Sequence, residues 1–321
     1  MKLRYDPFPL IFNTGDEVTK LACLELFGFK GIAWTKDYLQ ALVNKQRPDG
    51  SFPSEFNPEK WGMRETVRYA IILSRFGLPG EGVNVGRAVE FILDHQGPEG
   101  GWVENSYLDL HPVIMELSTE QAVTWLTADV VDLLCLMGRG GSAPRHRALT
   151  WLRGVQNSQG GWGCFKGAIG GQQSSSGDPD STAQITFLMK EMYGEDDPIY
   201  QRGKKLFEGF LEQYAQDVER GYWIRTRDGK KEPLDAYHLT HLFLSWLFDL
   251  PRRFESGYDV ADARVERVME ALMGIQQKDG GWRPFWAEGS SPSYTMLAVK
   301  VLVLSGMLKK EVLRDDVEES I

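Results

Sequence analysis

The sequence predicts an all-α protein built from paired helices, and three observations predict it. A Gln or its stand-in is followed six positions later by an aromatic residue with Gly ahead of it, five times over: Gln46 to Phe52, Gln96 to Trp102, Gln156 to Trp162, Asp217 to Trp223 and Gln276 to Trp282. The aromatic positions recur every 50 to 61 residues or so, a length that suits two helices and a long loop. Helical apolar spacing returns in every unit, and strand-like alternation never persists.

The elements follow in order. Helices that precede the Gln…Gly-Gly-Trp turn are expected near 35–46, 84–96, 144–156, 199–216 and 262–277. In Val83 to His95, Val85, Ala88, Val89 and Ile92 form one apolar side opposite Arg87, Glu90 and Asp94, so this set is two-faced and outer. Helices that follow the turn are expected near 61–76, 118–137, 181–193, 235–248 and 292–306. The stretch from Ser118 to Met137 is apolar over most of its circumference, with Ser118 as candidate N-cap, so this set is inner. A helix over Asp16 to Phe27 supplies a sixth inner member and Lys309 to Glu319 a sixth outer one. Six inner helices within six outer ones make an α6/α6 toroid, and residues 1–321 read as a single domain because each repeat needs its neighbours to cover its apolar face.

Composition narrows the function classes. A formal charge of -9 disfavours a general nucleic-acid binder, since neutralising phosphates takes a surplus of Lys and Arg. Cys23, Cys135 and Cys164 are odd in number and far apart, which favours free thiols in a reducing compartment over disulfides. The first residues lack a basic flank followed by a long apolar run, and no stretch approaches a membrane-spanning length. A cytoplasmic protein without a transmembrane segment is the expectation.

Connections from inner to outer helices are short, such as Gly77 to Gly82, whereas those from outer to inner are long: Val103 to Leu117 and Gly163 to Pro179. Long loops in compact domains concentrate function. The site is therefore expected where inner helices begin, near Trp61, Asp109, Asp180, Asp235 and Ser293, where helix N-termini also offer free amides to an anion.

The repeated turn resembles the QW repeats of squalene-hopene and oxidosqualene cyclases, over nearly the whole chain. It resembles protein prenyltransferase β subunits more loosely. Two junctions sharpen the first likeness. Asp178-Pro179-Asp180-Ser181-Thr182-Ala183 is similar to the Asp-x-Asp-Asp-Thr-Ala signature of class II terpene cyclases with its last Asp replaced, and Ser290-Ser291-Pro292-Ser293 followed by Thr295 is similar to their last repeat. The chain departs from the two-domain members in length and resembles a single-domain type. The resemblance implies a protonation-initiated cyclase, an isomerase that folds a linear polyprenyl chain, with a hydroxybenzoate-type head group, into a polycyclic meroterpenoid. It implies a hydrophobic isoprenoid as partner, peripheral membrane contact, no nucleic acid, and neither cofactor nor metal.

Such chemistry needs a carboxylic acid that stays protonated in a dry site, and aromatic faces to stabilise the migrating cation. Two positions compete for the acid. The local signature points to Asp180, with Asp178 beside it. Counting repeats back from the last junction points instead to the loop before Leu117, where Asp109 is followed by His111; in that register Asp180 and Gln184 supply the partner of the acid. Asp180 is also an ordinary N-cap candidate. Aromatic residues at inner-helix positions, Trp61, Tyr69, Trp125, Phe187, Tyr237, Phe243, Trp246 and Tyr294, are candidates to line a cavity with His238. Arg64, or Arg68, is placed to meet a substrate anion. Trp102, Trp162 and Trp282 read as structural members of their turns.

Two other classes remain open. Asp235-Ala236-Tyr237-His238 resembles the zinc-binding His segment of prenyltransferase β subunits, but the junction at Asp178-Pro179-Asp180 lacks that family's Cys. A non-catalytic toroid that binds a lipid or a protein is the second, since complement thioester-like domains share this architecture.

Overall fold

The computed structural model describes residues 2–55, 57–77, 83–105, 122–164, 178–219, 224–225, 231–232, 260–284 and 288–320. Among them are twelve helices: α1 (Phe8–Thr14), α2 (Glu17–Phe27), α3 (Ala33–Val43), α4 (Met63–Arg75), α5 (Val83–Asp94), α6 (Thr124–Leu136), α7 (Ala143–Gly154), α8 (Pro179–Tyr193), α9 (Pro198–Glu219), α10 (Ala263–Gly274), α11 (Pro292–Leu304) and α12 (Lys310–Ser320). Strand structure in the described residues is confined to two antiparallel pairs of two-residue strands, β1 (Phe52–Pro53) with β2 (Trp61–Gly62) and β3 (Ile224–Arg225) with β4 (Lys231–Glu232). The expected helix over 235–248 falls outside the described residues.

Local chemistry sets the ends of these helices. The Asp16 side chain accepts from the Thr19 amide at 2.7 Å and starts α2, and Gly28, at φ 83°, ends it in the left-handed conformation that favours glycine. Two expectations are corrected. The inner helix expected from Ser118 begins at Thr124, with extended Val123 in the cap position, because the Val123 amide is drawn into a bridge to the Trp102 carbonyl at 2.8 Å. The other is α1, which the repeat pattern does not foresee.

The QW turn is a hydrogen-bonded joint repeated with little change. Trp102, Trp162 and Trp282 are fully buried, and each indole N–H donates to a carbonyl ten residues back, on Ile92, Leu152 and Leu272, at 2.6 to 2.7 Å. The backbone N–H of each aromatic donates to a threonine hydroxyl of the following inner helix: Phe52 to Thr66, Trp102 to Thr127, Trp162 to Thr182 and Trp282 to Thr295, all near 3 Å. The glutamine amides finish the joint. Gln46 donates to the carbonyls of Gly50 and of Asn84 in α5, and Gln96 to those of Gly100 and of Pro144 in α7. The turn must pass close to the next outer helix, and a Cβ on Gly100 would lie 2.6 Å from the Arg147 carbonyl oxygen. The bonds of the aromatic residues are buried, so deleting one partner strands the other at a cost of about 1–3 kcal/mol.

The chain divides into two compact units, Lys30–Leu188 and Met1–Phe29 with Met189–Ile321. In the first, α4 packs on α5 and α6, and α6 on α7. In the second, α9 packs on α10, and α11 packs on α1 and α2. Here the joint takes a different partner. Gln276 donates to the Tyr5 carbonyl at 2.9 Å and accepts from the Arg4 and Tyr5 amides at 3.2 Å. The segment before α1 thus occupies the place that the next outer helix takes in the other repeats, where α12 was expected; α12 packs against α1 and α2 instead.

Candidate functional site

The start of α8 gathers most of the described candidate residues, all within the unit Lys30–Leu188. The Asp178 amide donates to the Trp162 carbonyl at 2.7 Å, and the Asp178 carbonyl then accepts from the Thr182 amide at 2.9 Å, the first helical bond. Pro179 takes the first helical position, where its missing N–H costs nothing. Asp180 is therefore inside the first turn and is not the N-cap. The residue in the cap position is Asp178, whose carboxylate accepts from the Cys164 amide.

The joint also decides where Asp180 points. Thr182 faces the QW turn, and two residues along a helix is a rotation of about 200°, so Asp180 lies on the opposite side, together with Gln184 and Phe187. Asp180 is buried, and its Oδ1 has no hydrogen-bond partner. Burial pushes its carboxyl up to about 7; the Asp178 carboxylate pushes the same way, against a smaller lowering by the amides of Ser181 and Asp180. Cys164, also beside this pair, has its thiol raised well above the usual range by burial and by Asp178 and Asp180, so it stays protonated and is no nucleophile at neutral pH.

Gln184 links α8 to α6. Its Nε2 donates to Asp129 Oδ1 at 2.8 Å and to the Trp125 carbonyl at 3.3 Å, while its buried Oε1 has no partner. Ser181 Oγ and Thr186 Oγ1, also buried on α8, are unpartnered too. The structure thus brings together Asp178, Asp180, Gln184, Phe187 and Trp125. It adds Asp129, Cys164 and Ser181, which the motifs missed. A sequence signal for Asp129 existed: it follows Thr127 by two positions, as Gln184 follows Thr182.

The remaining candidates are elsewhere. Trp61 is on strand β2, not on an inner helix, with its ring against Phe91 at 5.2 Å and His95 at 4.9 Å between centroids. Tyr69 meets the Phe52 ring edge-on at 5.0 Å. Arg64 forms ion pairs with Glu55 and buried Glu65, each at 2.8 Å. The N-terminus of α4 is filled by this chain's own groups: the Met63 amide donates to Asn105 Oδ1 at 3.1 Å and the Arg64 amide to the carboxylate of buried Glu104 at 2.6 Å. A substrate anion would have to displace them. Tyr294 is half-buried on α11, in the other unit. Asp109, His111, Tyr237, His238, Phe243 and Trp246 lie outside the described residues, as do Asp235 and His241 of the zinc reading. Among the described residues no three His, Cys, Asp or Glu side chains are grouped to hold a metal ion, and no helix is long and apolar enough to cross a membrane.

No family model matches the chain, and no curated protein sequence does. Solved structures do. The type II terpene cyclase MstE from Scytonema, without ligand, superposes with a TM-score of 0.55 at 16% identity, covering 91% of this chain and 89% of its own. This chain has a terpene cyclase fold. A variant of MstE bound to its substrate geranylgeranyl dihydroxybenzoate gives 0.55 at 17% identity, over 91% of this chain and 88% of that one. A protein from Actinoplanes gives 0.58 at 15% identity, over 90% of each chain. At such identities the likeness concerns the arrangement of the backbone, and chemistry has to be argued from the side chains.

Proposed function

We propose that this protein is a class II terpene cyclase in which Asp180 donates the initiating proton to a linear isoprenoid. The observation that carries the reading is Asp180 itself: a buried carboxyl with one unpartnered oxygen, pushed up to about 7 and standing at the middle acid of the Asp-x-Asp signature. A carboxyl in water is ionised at neutral pH and has no proton to give; burial removes the solvation that stabilises the carboxylate, and the neighbouring Asp178 charge adds to the penalty. Phe187 on the same helix face is placed to shield the cation that follows.

The cyclase MstE, whose substrate is geranylgeranyl dihydroxybenzoate, suggests the same substrate class here, a polyprenyl chain on a hydroxybenzoate head, with a merosterolic-acid-like polycycle as product. The reading includes a closed α6/α6 ring formed by residues 1–321 as one domain, an aromatic-lined cavity, and no redox cofactor. Asp109 is the alternative donor, with Asp180 and Gln184 then serving as its partners. Incubating the purified protein with geranylgeranyl dihydroxybenzoate and analysing products by mass spectrometry and NMR tests the proposal. A cyclised isomer of unchanged mass is expected; recovery of only linear substrate, with the folded protein shown to bind it, would overturn it.

A further inference from the structure

Seven buried side-chain oxygen or nitrogen atoms lack a partner among the described residues, and four of them belong to α8: Asp180 Oδ1, Ser181 Oγ, Gln184 Oε1 and Thr186 Oγ1. Buried polar atoms in folded proteins are nearly always hydrogen-bonded, so a concentration of this kind marks a place where something else supplies the bonds. The four do not face one way. Thr186 follows Thr182 by one turn and shares its side of the helix, toward the QW joint. Asp180 and Gln184, also one turn apart, share the opposite side.

The orientation of the Gln184 amide is fixed by its partners. Asp129 Oδ1 and the Trp125 carbonyl oxygen only accept, so the nitrogen must face them and Oε1 must face away. Asp180 accepts from the Ser181 amide, which leaves Oδ1 as the atom that carries the proton outward. The pair therefore offers one donor and one acceptor. Side chains one helical turn apart stand about 5–6 Å from each other at Cβ, and one oxygen bonded to both at about 2.8 Å bridges a gap of that size. The group that accepts one hydrogen bond and donates another from a single atom is a hydroxyl. An ether or carbonyl oxygen cannot donate to Gln184, an ammonium cannot accept from Asp180, and an alkene does neither.

We propose that Asp180 and Gln184 form a hydroxyl-binding subsite, and that the isoprenoid this protein takes carries an alcohol group that reaches it. The proposal deepens the cyclase reading and rests on it for the protonated state of Asp180. In the free protein a water fills the same two bonds; the ligand hydroxyl replaces it and keeps both, which a capped or deoxygenated ligand does not. Gln184 is then a specificity-determining residue, held in register by Asp129 of α6.

The test compares a C20 prenyl alcohol with its methyl ether, which differs by the missing hydroxyl proton, by calorimetric titration of the full chain at pH 6. The wild-type protein should bind the alcohol about 10- to 100-fold more tightly, because the ether leaves Gln184 Oε1 buried and unpaired. In Gln184→Met, which keeps length and volume but has no amide oxygen, the two ligands should bind within about 2-fold of each other. Equal affinities in the wild-type protein, or an undiminished preference in the variant, would overturn the proposal, and the wild-type comparison decides alone if the variant fails to fold. Because binding is read and not turnover, a negative result here leaves the cyclase reading to be judged by its own assay.

Discussion

Replacing Asp180 by Asn should change how stability depends on pH, and the size follows from the site. The carboxyl is raised from 3.8 to about 7 by burial and by Asp178. Between these values the folded state holds a proton that the unfolded state has released, so stability falls as pH rises. The contribution is whole below about pH 4 and lost as pH climbs through 7. A shift of about three pKa units at about 1.4 kcal/mol each gives roughly 4 kcal/mol across that range. Asn has nearly the same shape and never ionises, so Asp180→Asn should lack this slope. Urea denaturation of both proteins from pH 4 to pH 8 should show the variant gaining relative to the wild type by up to roughly 4 kcal/mol, with m unchanged. A constant difference over the whole range would refute the buried, protonated state of Asp180, and with it the physical basis of the proposed chemistry.

Other outcomes follow from the same structure. Cyclisation should be fastest at acid to neutral pH, with kcat/KM falling along an alkaline limb near 7 as free-enzyme Asp180 loses its proton; a limb set by a group near 4 would point to a solvated carboxylate instead. Thr182→Val keeps shape but removes the acceptor of the Trp162 amide, and should cost about 1–3 kcal/mol in thermal or urea unfolding; a change below about 0.5 kcal/mol would deny the joint its structural role. Gln276→Leu cuts the three bonds to Arg4 and Tyr5, so limited proteolysis should cleave ahead of α1 faster than in the wild type, whereas Gln46→Leu should leave that site unchanged.

How much of this was readable in the chain varies with the range of the interactions. The helices were legible because the QW turn states its own boundaries: Gln, Gly and Trp at fixed spacing mark a helix end, and the outer helices at 83–94 and 143–154 fall within two residues of expectation. The start of α6 was misplaced because Ser118 looks like a cap in isolation, while the bridge from Val123 to Trp102 joins residues about twenty apart. The aromatic turn residues and the Asp178–Asp180 pair carried signals of their own. The role of Trp61 did not, since its contacts with Phe91 and His95 come from a segment some thirty residues further on. Gln184 was visible, but Asp129, which orients it, becomes visible only when the threonines of the joint are used to align α6 with α8. The pattern of Lys309 to Glu319 correctly suggested a helix, yet only the structure shows that the N-terminal segment takes the Gln276 partnership.

The central claim is that Asp180 supplies the proton. Product formation from geranylgeranyl dihydroxybenzoate should be measured for wild type, Asp180→Asn and Asp109→Asn at saturating substrate, with binding of the linear substrate followed in parallel. Asn keeps the size and much of the hydrogen bonding of Asp but cannot donate a strong acid proton, so the true donor is the position where binding survives and turnover does not. The account predicts loss of cyclised product by at least about 1,000-fold in Asp180→Asn with substrate affinity within a few-fold of wild type, and substantial residual turnover in Asp109→Asn. Abolished turnover in Asp109→Asn alongside a merely slowed Asp180→Asn would contradict it and make Asp180 a partner of the acid.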